Sequence, residues 1–165
     1  MAPRVTAVVA YARNHVIGAD GGMPWHLPTD LKHFRDVTTP GTVVMGRTTW
    51  DSIPERFRPL PGRRNLVLSR TAGYEAPGAE VFASFDEALA AAAGDDEVFL
   101  IGGGRTYADA LARTDRVWAT EIDAEPEGDT HFPVLDPAEW QVEESLDPVT
   151  ENGFTFTIRR YERVR

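Results

Sequence analysis

The chain's 165 residues are enough to bury one core and leave no room for a second full-sized one, so a single domain spanning 1–165 is expected. An apolar share of 42% with 26% charged residues excludes the signature of disorder, and 17 basic against 26 acidic residues, net −9, exclude a broad basic surface for nucleic acid or anionic lipid. The absence of cysteine excludes disulfides, thiolate metal sites and a cysteine nucleophile.

The first apolar run, Arg4–Ala12, is nearly continuous, the pattern of a strand covered on both faces and central in a sheet. It is too short for a secretory leader, and no later stretch reaches ~18 uninterrupted apolar residues, so a cytoplasmic protein with no membrane partner is expected. A helix is predicted over 29–37, followed by strands at 42–45 and 65–68. Ser84 with Glu87 forms a capping box that opens a helix of strong formers, ended by Gly94. A strand at 98–101, a helix at 104–113 and a strand at 117–122 follow. This alternation predicts an α/β fold with a mostly parallel sheet. At the end, Trp140–Ser145 and Phe154–Arg163 read as a closing antiparallel hairpin, with 147–153 between them and Asn152-Gly153 as the turn signal.

Ligands of open α/β sheets sit at the carboxyl ends of strands. Three such ends carry suggestive residues. After 98–101 comes Gly102-Gly103-Gly104-Arg105-Thr106 at a helix start, where glycines admit a ligand to the backbone and free amides can hold a diphosphate. It is neither the G-x-G-x-x-G fingerprint nor a P-loop, and alone it fits an ordinary tight turn equally well. After 42–45 comes Gly46-Arg47-Thr48-Thr49, which alone fits an N-cap, and after 65–68 comes Ser69-Arg70-Thr71, which alone fits a solvated loop. Only Lys32 among the basic residues is lysine, so a single arginine marks little. Together, Arg47, Arg70 and Arg105 beside glycines and hydroxyls favour a phosphorylated dinucleotide.

A second constellation is Met23-Pro24-Trp25-His26-Leu27-Pro28-Thr29-Asp30-Leu31-Lys32-His33-Phe34. Helical spacing from Pro28 puts Asp30 beside Phe34 and Val37, leaning into an apolar face. An acid in a first helical turn ordinarily complements the macrodipole. Here, however, Met23 and Trp25 are large apolar groups in a Gly- and Pro-rich loop, where they are costly unless they cover something. A partly desolvated carboxylate has a raised pKa, and its ionised form needs donors; a ring N–H beside an exocyclic amine, as in a pterin, supplies two in parallel.

At this point the residues resemble a known family. Val16-Ile17-Gly18, the 23–31 segment, Val44 to Trp50, Pro61-Gly62-Arg63, Ile101 to Tyr107 and Gly128 to Pro133 occur in the order found in bacterial dihydrofolate reductases, with actinobacterial-like spacing over nearly the whole chain. The resemblance implies a mixed, mostly parallel eight-stranded sheet with about four flanking helices and an antiparallel C-terminal strand. It also implies NADPH-dependent hydride transfer to C6 of dihydrofolate with protonation of N5.

Carried over residue by residue, Asp30 is the ionisable group of the pterin pocket, Trp25 positions a water and Met23 caps the site. Val8, Leu31, Phe34 and Ile53 correspond to ring contacts, Thr120 to the hydroxyl that assists Asp30, and Arg63 to the clamp on the glutamate carboxylate. Ala10 and Ile17 fall beside the nicotinamide, and Gly103 and Gly104 at the diphosphate. Arg47, Thr48, Thr49, Ser69 and Arg70 belong to the adenosine phosphate side, with Gly18, Gly46, Leu68, Ile101, Arg105, Thr106 and Tyr107 completing the cofactor set. Gly102-Gly103 matches a cis peptide of the family. Expected ligands are dihydrofolate and antifolate inhibitors, with a monomer and no metal.

There are departures. The 54–59 segment carries about three extra residues relative to the shortest members, Arg56 and Arg58 among them, which leaves open which arginine joins Arg63 at the glutamate tail. His26 replaces an asparagine and is expected to face solvent. A reductase of another pterin-like or pyrimidine ring would not need both Asp30 and Arg63, and a non-catalytic nucleotide-binding module would leave Met23, Trp25 and Asp30 without a task.

Overall fold

Long apolar runs and short polar connections place the strands, and the computed structural model describes residues 2–18 and 25–164. In chain order the elements begin with β1 (Arg4–Ala12), β2 (Val16–Gly18), α1 (Pro28–Thr38), β3 (Thr42–Gly46) and α2 (Arg47–Ser52). They continue with β4 (Arg64–Leu68), β5 (Glu80–Phe82), α3 (Phe85–Ala91), β6 (Glu97–Leu100) and α4 (Gly104–Ala110). The last are β7 (Arg116–Ile122), β8 (Thr130–His131), β9 (Trp140–Ser145), β10 (Val149–Glu151) and β11 (Phe154–Arg163).

The main sheet runs β10-β11-β7-β1-β6-β3-β4-β5, eight positions wide, with β9 also paired to β11, nine strands among the described residues. β1 pairs in parallel with β6 and β7, and β6, β3, β4 and β5 continue in parallel. β11 returns antiparallel along β7. The mixed, mostly parallel sheet with four helices and an antiparallel last strand is thus the one the resemblance implied.

Alternating residues of the strands feed two cores, one on each face. Val8, Val43, Met45, Val67 and Phe99 meet Phe34 and Val37 of α1 and Trp50 of α2. Val9, Val44, Leu66, Val98 and Leu100 meet Ala88 and Leu89 of α3 and Tyr107 and Ala110 of α4. Continuous apolar strands are the consequence of having helices on both sides. Ser84 caps α3 as expected: its side chain accepts from the Glu87 N–H at 3.1 Å, and the Glu87 carboxylate accepts from the Ala83 N–H at 3.0 Å.

The C-terminal reading needs one correction. Residues 147–153 are not all turn, because Val149–Glu151 forms β10 against Phe154–Phe156, so β9 and β10 share the outer edge of β11 at different heights. The reversal is confined to Asn152 (φ 48°) and Gly153 (φ 83°), the paired left-handed conformation that a two-residue hairpin demands. The strands β2, β5, β8 and β10, of two or three residues each, had no periodicity long enough to announce them.

Candidate active site

Asp30 sits in the first turn of α1, whose N-cap, Leu27, offers no side-chain cap; Pro28 fixes the start. The side chain is partly buried, and Thr120 Oγ1, from the middle of β7, donates to its Oδ1 at 2.5 Å. Burial raises the Asp30 pKa above the ordinary carboxylate value, the nearby charge of Glu151 raises it further, and the Thr120 hydrogen bond opposes them. Ala10 is the register partner of Thr120 across β1 and β7, and Val8 that of Trp118. Asp30, Val8, Ala10 and Thr120 are therefore brought to one side of the sheet, beneath α1.

Trp25 is buried, with Phe154 edge-on to it at 6.5 Å between ring centres, and its Nε1 has no hydrogen-bond partner among the described residues. Met23 lies outside the described residues. His26 is exposed, as expected, and its carbonyl accepts from Asn152 Nδ2 at 2.8 Å.

Along α1, a cleft of about 480 Å³ is lined by Pro28, Leu31, Lys32, Phe34, Arg35, Leu60 and Arg63. Leu31 is 47% exposed toward it, and Phe34 and Ile53 are half-buried. Arg63 Nη1 donates to Thr38 Oγ1 at 3.1 Å and Nε to the Pro61 carbonyl at 3.0 Å, which aims the guanidinium. Its pKa is lowered by burial and by the charge of Arg35. Arg35, Lys32 and Leu60 escaped notice in the sequence. The i, i+3, i+4, i+7 spacing of 28, 31, 32 and 35 places three of the cleft residues with Arg35 on one helical stripe, which was a legible signal. Arg58 instead lies 5.2 Å from the Trp50 ring and Arg56 4.7 Å from the Phe57 ring, so neither lines this cleft.

The three glycine- or hydroxyl-bearing strand ends are neighbours because β6, β3 and β4 are adjacent and parallel. The Gly102–Gly103 peptide is cis, Gly102 has φ +132°, and the Gly102 carbonyl accepts the Gly46 N–H at 2.8 Å. A Cβ on Gly46 would stand 2.6 Å from Thr106 Oγ1, and one on Gly103 3.2 Å from Thr49 Oγ1. Glycine here keeps β3 and α4 close enough to leave a backbone-lined cradle. Gly104 heads α4, packed so that a Cβ would meet Thr130 Cγ2 at 2.5 Å and Ile17 Cδ1 at 3.7 Å. Ile17 and Gly18 belong to β2, and Ile101 follows β6. Tyr107 is buried, its hydroxyl donating to the Val8 carbonyl at 2.6 Å, which ties α4 to β1.

On the far side, Arg47 Nη1 donates to Thr71 Oγ1 at 3.0 Å, and the guanidinium lies 4.3 Å from the Tyr74 ring centre. The Tyr74 hydroxyl donates to Asp51 at 2.8 Å, and Asp51 lies 3.4 Å from Arg47. Tyr74 and Asp51 were not anticipated. Leu68 ends β4, Ser69 is half-buried, and Thr48 and Arg70 are exposed beside this cluster's chain segments. Arg105 pairs with Asp109 at 3.7 Å along the open flank of α4, with both side chains largely exposed. Among the described residues there is no cluster of three or more metal-ligating side chains.

The family model described as dihydrofolate reductase matches residues 4–163. Dihydrofolate reductase type 3 of Salmonella typhimurium is 49% identical over 150 residues, 90% of this chain and 91% of that one. The dihydrofolate reductase of Mycobacterium tuberculosis is 44% identical over 162 residues, 96% of this chain and 98% of its own. A solved dihydrofolate reductase of Enterococcus faecalis, complexed with NADP(H) and RAB-propyl, superposes with a TM-score of 0.86 at 34% identity, covering 97% of this chain and 96% of that one. With a partly buried carboxylate on α1 held by a strand hydroxyl, and a glycine cradle at the neighbouring strand ends, the chain belongs to the dihydrofolate reductase family.

Proposed function

We propose that this chain reduces dihydrofolate with NADPH, working as a cytoplasmic monomer of one domain, and that antifolates occupy the same crevice. The observation that carries the reading is the Asp30–Thr120 contact at 2.5 Å, which fixes a partly buried carboxylate over the sheet. Its free lone pairs match the two parallel N–H donors of a 2-amino-4-oxo pterin edge. Val8, Leu31, Phe34 and Ile53 give apolar contacts for the fused ring and the benzoyl group, and Arg63 with Arg35 receives the glutamate carboxylates at the end of the cleft.

The residues present fit a phosphorylated dinucleotide. Gly46, Gly103 and Gly104 with Thr106 form the diphosphate cradle, and Arg47, Thr48, Ser69 and Arg70 receive the adenosine phosphates, with Thr49 against the Gly102–Gly103 backbone. Ala10, Ile17, Gly18 and Ile101 line the nicotinamide side. When bound, NADPH supplies the hydride that reaches C6 of the substrate. Asp30 holds the pterin edge, and burial, by raising its pKa, favours a proton held within reach of N5. The buried indole N–H of Trp25 orients the water that passes the proton on.

The test is the loss of nicotinamide absorbance on mixing protein, NADPH and dihydrofolate. Turnover that needs both ligands supports the reading, and its absence in folded protein overturns it.

A further inference from the structure

The hairpin between β10 and β11 ends on the amino terminus of α1, far from it in sequence. The Glu151 carboxylate accepts the Thr29 N–H through Oε1 at 2.9 Å and the Thr29 hydroxyl through Oε2. Next to it, Asn152 Nδ2 donates to the His26 carbonyl at 2.8 Å, and Phe154 meets Trp25 edge-on. Leu27 cannot cap the helix with its own side chain, so the orphan amide that an N-cap Ser or Asp would ordinarily satisfy is satisfied by a residue 122 positions away. The same three residues, 151, 152 and 154, thus grip the segment that carries both Trp25 and Asp30.

We propose that Glu151 is a positioning residue for the reductase reaction: from the hairpin tip it caps α1 in trans and holds a fixed negative charge beside Asp30, keeping the Asp30 proton available for transfer. The inference rests on reading Asp30 as the proton-holding group of the site. The two roles share one contact, because the bond to the Thr29 amide is what places the charge one residue from Asp30. Among the described residues, Asp30 feels the charge of Glu151 from β10 and the hydrogen bond of Thr120 from β7; Tyr107 of α4, buried with its hydroxyl given to the Val8 carbonyl, has its own pKa raised by burial and by Asp30, and so stays neutral. Glu151 is therefore the one fixed charge among them that favours the protonated form. Of the cations of α1, Lys32 pairs with Asp36 at 2.8 Å, and Arg35 lines the cleft with Arg63.

The experiment compares the pH dependence of hydride transfer in wild type, Glu151→Gln and Glu151→Ala, alongside carbon-13 carboxyl NMR of Asp30 in each protein without ligands. Gln keeps an oxygen for the Thr29 amide and removes the charge; Ala removes both. For Glu151→Gln the midpoint of the alkaline limb moves to lower pH, with a rate on that limb about threefold below wild type, as expected for one unit charge acting through a mostly aqueous path, and the Asp30 resonance titrates at correspondingly lower pH. Glu151→Ala shifts the midpoint in the same direction and also lowers Tm, through the lost cap. A merely structural role would scale the whole profile and leave its midpoint in place. That result, or an unmoved Asp30 titration in Glu151→Gln, overturns the proposal. If Asp30→Asn kept the wild-type profile, the reading of Asp30 itself would fall, an outcome distinct from failure of the Glu151 variants alone.

Discussion

Thr120 Oγ1 donates to Asp30 Oδ1 at 2.5 Å, joining the middle of β7 to the first turn of α1 across 90 positions of sequence. The bond makes the carboxylate's direction a property of the sheet rather than of the helix alone. Because it opposes the upward pull of burial on the Asp30 pKa, removing it has a signed consequence. Thr120→Val keeps the shape and deletes the donor. The alkaline limb of the rate profile moves to higher pH, opposite to the shift for Glu151→Gln, and unfolding free energy drops by about 1–2 kcal/mol for the unsatisfied carboxylate. Stopped-flow hydride transfer across pH and urea unfolding read the two effects.

Asp30→Asn tests the acid itself. Turnover at about pH 8 falls by at least about a hundredfold, since the proton source is gone, and recovers in part as the medium acidifies and substrate arrives protonated. Stability moves the other way. The folded-state pKa of Asp30 lies above its unfolded value, so folding takes up a proton in that window and wild-type stability declines as pH rises through it. The Asn variant lacks this penalty, so its Tm exceeds that of wild type at neutral pH, and the gap closes as pH falls below about 4. Thermal melts at a series of pH values show whether the gap closes or persists.

Arg63 is tied to Thr38 and Pro61 at the end of the α1 cleft. Arg63→Ala raises KM for dihydrofolate by about tenfold or more, the loss of a charge-assisted pair, while a dihydropterin lacking the benzoylglutamate is reduced as well as by wild type. An equal penalty on both substrates would remove Arg63 from the tail.

Arg47 is braced by Asp51, Thr71 and the Tyr74 ring, whereas Arg70 is exposed on the loop after β4. Arg70→Ala weakens NADPH binding by about tenfold or more and leaves NADH nearly unaffected, because only NADPH carries the additional phosphate. Fluorescence titration with the two dinucleotides measures the difference, and equal losses contradict the assignment.

Asp30, Trp25, the Gly102–Gly104 turn and the Arg47 and Arg70 strand ends were legible because each announces itself locally. A proline fixes a helix start, glycines follow an apolar run, and a carboxylate falls on an apolar stripe. Glu151, Arg35, Tyr74 and Asp51 were not. Glu151 reads as a hairpin residue, and nothing near it in the chain indicates that its partner is Thr29.

By itself the sequence determined the α/β alternation, the two-faced burial of β1, β3, β4 and β6, and the residue types of the crevice, since periodicity and turn chemistry act over a few residues. Which strand ends stand side by side, which hydroxyl meets Asp30, and that the last hairpin reaches back to cap α1 were decided only by the tertiary structure. Those relations depend on strand order and on contacts across 90 to 122 positions, which no local pattern encodes.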